Sequence, residues 1–176
     1  MSGFIEIVKS KNKPKEKTAL LTAALKSNKA LINDLIAYFP NAPIADRGLC
    51  IEAISEITKE GPKFADCCLE FVIAQINDKA PRVKWEAATV VCNTAGLFPE
   101  RASKAIPALI KNTEDEGTVV RWSAAKGLTE IAKYNLESQK KLLGLFAKII
   151  EIEENNGVKN IYVKALKAIE KGKRAK

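Results

Sequence analysis

Histidine is absent from the 176 residues of this chain. That removes the commonest general base and the commonest metal ligand together. Aromatic residues are scarce at 6%, and no glycine-rich stretch has the form of a phosphate-binding loop. No apolar run approaches the roughly 18 residues of a membrane-spanning helix. The opening residues, Met1-Ser2-Gly3-Phe4-Ile5-Glu6-Ile7-Val8, place an acid inside a short apolar stretch with no basic lead, unlike a signal peptide. These absences predict a cytoplasmic chain with no membrane partner, no metal, no cofactor and no small-molecule ligand. The acids Glu114, Asp115, Glu116, Glu151, Glu153 and Glu154 fall in turns or at helix ends. No nucleophile, base and orienting group come together, so the expectation is that the chain is not an enzyme.

Four cysteines are present: Cys50, Cys67, Cys68 and Cys92. Cys67 and Cys68 are adjacent, so on a helix they diverge by about 100° and do not pair readily. Free thiols buried in a reducing compartment are expected.

Hydrophobic residues make up 47% of the chain and charged residues 28%, the proportions of one ordinary domain. Alanine, leucine, isoleucine and lysine dominate, which favours helix over sheet because straight-chain residues and Ala lose little freedom in a helix.

An internal repeat organises those residues. Asp78-Lys79-Ala80-Pro81-Arg82-Val83-Lys84-Trp85-Glu86-Ala87-Ala88 recurs as Asp115-Glu116-Gly117-Thr118-Val119-Val120-Arg121-Trp122-Ser123-Ala124-Ala125, a shift of 37. The same shift carries Ile106 onto Leu69 and Leu143, and Leu109 onto Val72 and Phe146. Each unit reads as two helices. Val83, Ala87, Val90, Val91 and Thr94 keep helical spacing in one first helix, and Val120, Ala124, Ala125, Leu128 and Ile131 in the next. Breaks follow at Gly61-Pro62, Gly96 to Pro99 and Asn135, and a second stripe begins beyond each. Lys17–Leu25 and Lys29–Phe39 form a shorter leading pair, with Phe4, Ile5, Ile7 and Val8 covering it.

These residues resemble HEAT repeats. Asp115, Val120, Arg121, Ala124, Ala125 and Leu128 reproduce their D-x-x-x-x-V-R-x-x-A-A-x-x-L pattern. Ala105-Ile106-Pro107-Ala108-Leu109 is similar to their A-I-P-A-L signature. The resemblance extends to armadillo-like arrays and those of phycobilisome-lyase type. It implies an all-α, right-handed α-α superhelix of about four helix pairs with capping helices, in one domain spanning 1–176. The units fall near 1–40, 41–78, 79–117 and 118–157, with a final helix over 158–172. Lys84 stands where the pattern has Arg, and Gly48 where the Trp would fall. The Asp is expected to cap the turn and to accept a hydrogen bond from the base that follows it.

Trp85 and Trp122 occupy equivalent places in adjacent first helices. They are expected to be largely buried at unit junctions, with an aromatic platform as the alternative. Lysines give the candidate binding face. Lys104 maps to Lys141 and Lys111 to Lys148, each pair seven residues apart on one helix face, with Lys140 alongside. In such an architecture that face lines the concave groove; the alternative is a solvated helix surface. The net charge of +8 is concentrated at the tips, +3 over 1–18 and +6 over 158–176, whereas 41–78 carries −4.

The expected function is therefore a non-enzymatic scaffold that recognises another protein through its concave face. The rival is nucleic-acid binding through the lysines and the basic tail, Lys167, Lys171, Lys173, Arg174 and Lys176. Fold analogy alone adds alkylated-base DNA glycosylases and chromophore lyases.

Overall fold

The protein is seen as a computed structural model describing residues 3–174, with side chains through Gly172. Lys173, Arg174 and Lys176 of the basic tail thus lie outside the described side chains. The described chain holds eleven α-helices and three 3-10 segments, and no strand. It is an all-α solenoid.

A first layer contains α2 (Pro14–Ser27), α4 (Ile44–Glu60), α6 (Pro81–Thr94), α9 (Thr118–Tyr134) and α11 (Asn156–Arg174). Within it α4 packs on α2 and α6, α6 on α9, and α9 on α11. Small residues make this possible. A Cβ added at Gly127 of α9 would lie 3.1 Å from Leu109 Cδ1 and 3.6 Å from the Ala88 carbonyl oxygen of α6. Ala87, Ala88, Ala124 and Ala125 are wholly or almost wholly buried beside it.

The second layer holds α3 (Leu31–Tyr38), α5 (Leu69–Ala74), α7 (Pro99–Ser103), α8 (Ile106–Asn112) and α10 (Leu136–Ile152). α1 (Gly3–Lys9) packs across α2 and α3 and buries Phe4 and Val8. One core runs the whole length, from Phe4 through Leu35, Ile54, Val83, Leu128 and Phe146 to Ile169.

Two sequence expectations need correcting here. The second helices of the middle units are not continuous. Cys68, with φ −144° and ψ 6°, separates a 3-10 segment, Pro62–Cys67, from α5. The chain also breaks at Lys104-Ala105, between α7 and α8. Pro107 accounts for the second break, because it has no N–H to give the Ser103 carbonyl and so cannot carry one helix through. Lys104 and Lys111 therefore do not share a helix.

The second correction concerns the repeated acids. Each does cap its turn: Asp78 Oδ1 accepts from the Ala80 amide at 2.7 Å and Asp115 Oδ1 from that of Gly117 at 2.9 Å. The bases they meet, however, lie earlier in the chain. Arg47 donates to Asp78 and Lys84 to Asp115, both at 2.6 Å, and Arg121 reaches Glu153 at 3.0 Å. These ladder pairs tie the start of each first helix to the turn some thirty residues on, where the following second helix ends. Folding back puts the preceding base beside the carboxylate, while the base that follows Asp115, Arg121, donates instead to the turn's backbone carbonyls at Asp115 and Glu116.

The ladder shifts Asp115 and Glu153. Burial alone would raise Asp115, but the Lys84 hydrogen bond and the Gly117 amide outweigh it and hold the group below its ordinary value. Glu153 behaves alike, with Arg121 and the Asn155 amide outweighing burial.

Candidate functional site

The second layer does not close over its whole length. Between α8 and α10 an open groove of about 950 Å³ separates the two helices. Ile106 and Ile110 of α8 and Leu145 of α10 form its apolar floor, half-buried, while Lys140, Lys141 and Lys148 stand exposed along its wall. Helical spacing produces that arrangement. Lys141, Leu145, Lys148 and Ile152 recur at i, i+4, i+7 and i+11 and so share one face of α10. Beyond Lys148 the groove continues toward Ile152, 74% exposed, and is flanked by Glu114, Glu116 and Glu154. One end of the groove is thus basic and the other acidic.

Of the five lysines read from the sequence, three therefore line one groove. Lys104, in the break before α8, and Lys111, on α8, are exposed but outside the lining. Lys104 lies 3.8 Å from Glu70. Arg101 holds the same carboxylate and also Asp66, and its hydrogen bonds keep Glu70 down at about 2. Lys140, Lys141 and Lys148 have no ion-pair partner among the described residues.

The tryptophans occupy equivalent helices, α6 and α9, but differ in surroundings. Trp85 is half-buried and its Nε1 donates to Glu86 at 3.1 Å. Burial lifts that carboxyl above its ordinary value. Trp122 is 43% exposed, so the expectation that both are largely buried is corrected. α11 stands off from α9 here and leaves a groove of about 440 Å³ that Trp122 shares with Lys126, Lys133 and Lys164. The Lys126 ammonium sits 5.4 Å from the indole centroid.

The thiols are all free, and burial holds only in part. Cys50 and Cys68 are buried, Cys92 is half-buried and Cys67 is exposed. Burial pushes Cys50 and Cys68 up to about 12. Among the described residues no group of three Cys, Asp or Glu side chains is placed to hold a metal ion, and no helix is long and apolar enough to cross a membrane.

No protein-family model matches this chain, and no curated protein does. Solved structures do match. An engineered protein superposes with a TM-score of 0.70 at 16% identity, over 96% of this chain and 78% of its own. A designed armadillo repeat protein in complex with the peptide (KR)4 gives 0.70 at 18%, over 92% and 78%. A computationally designed armadillo repeat protein for modular peptide recognition gives 0.69 at 20%, over 94% and 80%. At such identities the likeness is one of fold: the chain folds as an armadillo-like helical-repeat solenoid.

Sequence reasoning missed two features of these grooves. Exposure of Trp122 depends on how far α11 stands from α9, which no periodicity records. Gly144 is different. A lone glycine in the middle of the α10 stripe, where no turn is needed, was a visible signal.

Proposed function

We propose that this chain is a non-enzymatic scaffold that recognises another protein through its second-helix face. The reading centres on Lys140, Lys141 and Lys148, with Lys104 and Lys111 on the adjoining surface. The observation that carries it is the α8–α10 groove, an apolar floor beside cations without carboxylate partners among the described residues. Fold neighbours described as peptide-bound or built for peptide recognition support a binding role for such an array. Selection of an unbiased displayed peptide library on the protein tests it. Enriched sequences should bind the protein and lose most of their affinity when the five lysines are reversed to Glu. A library that enriches nothing over a control helical protein of equal charge would end the reading.

A second reading is favoured by Trp122. Its exposed indole, with Lys126 and Lys164 beside it and Lys133 paired to Glu130 in the same groove, resembles a single-stranded nucleic-acid platform, in which bases stack and lysines meet phosphates. On this reading, oligothymidylate quenches tryptophan fluorescence at about 50 mM salt, where electrostatic attraction is weakly screened. The binding falls steeply with added salt and disappears in Trp122→Ala. Absence of binding above background at that salt eliminates this reading.

A further inference from the structure

We propose that the groove between α8 and α10 seats one amphipathic α-helix of a protein partner. Its apolar stripe would lie on Ile106, Ile110 and Leu145, and its acidic flank on Lys140, Lys141 and Lys148. The proposal rests on the scaffold reading and names the chemistry of the partner.

Charge selects the partner's sign. The three lysines are exposed and carry no ion pair among the described residues. Glu137, in the first turn of α10, is the one acid at that end of the lining. An acidic segment therefore gains opposite charges along one wall. At the far end Glu114, Glu116 and Glu154 reverse the preference. The incoming helix runs with its acids toward the start of α10 and its basic residues toward the end.

Backbone chemistry selects helix over extended chain. Both walls are helices whose interior amides and carbonyls are used internally, the Ser103 carbonyl opposite Pro107 excepted, and no strand edge is present among the described residues. An extended peptide would find no ladder to join, whereas a helix satisfies its own backbone. The 17 residues of α10 span about 25 Å, room for a helix of similar length.

Gly144 supplies an independent observation. It lies inside α10, lines the groove, and a Cβ added there would meet nothing within 4 Å. Its φ is not positive. Neither a turn nor a close approach within this chain calls for glycine, yet glycine in a helix interior is unfavourable relative to alanine. In the groove its missing side chain leaves the backbone open to close contact with a second helix, as small residues do between α6 and α9.

The test uses the full chain and three displayed peptide libraries about as long as α10. The first is helix-forming with an apolar stripe and glutamate flanks, the second carries lysine flanks, and the third is unbiased. The acidic helical library should enrich, the lysine-flanked library should not, and the unbiased library should yield only sequences of the acidic, helix-forming kind. Its selected peptides should weaken by about tenfold or more, ~1.4 kcal/mol, against both Gly144→Gln and the triple reversal of Lys140, Lys141 and Lys148 to Glu. Gly144→Gln should melt no lower than the parent, and Gly144→Ala, which fills less of the groove, is the second variant should Gln disturb the fold. Enrichment from the lysine-flanked or unbiased library only would overturn the acidic helix and keep the scaffold. Peptides indifferent to both variants would overturn the groove as the site. Failure of all three libraries would overturn both readings.

Discussion

The two layers of this solenoid are built from the same repeat but to different tolerances. In the first, Gly127 brings α9 so near α6 that a Cβ added to it would lie 3.6 Å from the Ala88 carbonyl oxygen. In the second, the helices of the middle units are short, broken by Cys68 and by the gap before Pro107, and α8 parts from the longer α10 over an open groove. Both layers bury residues in the one core, Leu69, Leu109 and Phe146 from the second among them, and the second alone also leaves an apolar surface open.

Overpacking the first layer should break the comparison most severely. Ala124→Leu adds volume at a fully buried site between helices and should cost on the order of 1–3 kcal/mol. Chemical denaturation measures it, and the same change at exposed Ala147 of α10 should be close to neutral. An unaltered midpoint for Ala124→Leu would show that the first layer is as loose as the second.

The ladder comes next in size. Asp78 has a side chain only 4% exposed, caps the turn before α6 and receives Arg47. Asp78→Ala should cost about 1–2 kcal/mol, since it removes a cap and leaves a part-buried cation unpaired. Glu60, 80% exposed in its pair with Lys26, should lose nothing measurable on replacement by Ala. Equal losses would mean that burial does not grade these pairs.

Acid then sharpens the picture. Asp115 and Glu153 are held below their ordinary values in the folded chain. A depressed carboxyl binds protons less readily when folded than when unfolded, so its contribution is fully present above the unfolded value. That contribution is lost as pH falls through the folded value. The melting temperature should therefore drop as pH is lowered from about 5 toward 3, below the ordinary carboxyl range, and drop less in Asp115→Asn and Glu153→Gln. Glu86, raised by burial, works in the opposite sense, and Glu86→Gln should steepen the fall.

The smallest effect leaves stability untouched. A thiol reagent at neutral pH should modify Cys67 of the second layer first, since it is exposed. Cys50 of the first layer should stay protected, being buried with its thiol pushed up to about 12. Mass spectrometry after brief labelling distinguishes the two sites.

Much of the fold was legible because the repeat carries its own punctuation. The stripe of Val83, Ala87, Val90 and Val91, the alanine pairs, and breaks such as Gly61-Pro62 fixed helix type and order. The direction of the ion pairs was not legible, because Asp78 has bases on either side of it in sequence and only the fold brings Arg47 across. The candidate site was half legible. Spacing along α10 placed Lys141 and Lys148 on one face, yet the break before Pro107 took Lys104 off the helix that carries Lys111. Trp122 illustrates the limit: identical repeat positions need not have identical neighbours, since α6 is followed by α9 but α9 by α11 across an open groove.

The Arg47–Asp78, Lys84–Asp115 and Arg121–Glu153 pairs span 31, 31 and 32 residues. Each tie is therefore made inside a single repeat length, and a repeat brings its own fastening with it. An extra copy of the stretch from Lys79 to Asp115, inserted in frame, would supply the first helix, its base and the turn that receives it. The neighbouring copies would see the surfaces they already meet. A chain so constructed can lengthen or shorten by whole copies while its folding remains a local, neighbour-to-neighbour process. Insertion of half a copy would leave one base and one acid without their counterparts. Duplication is thereby tolerated in steps of about one repeat and opposed at lengths between.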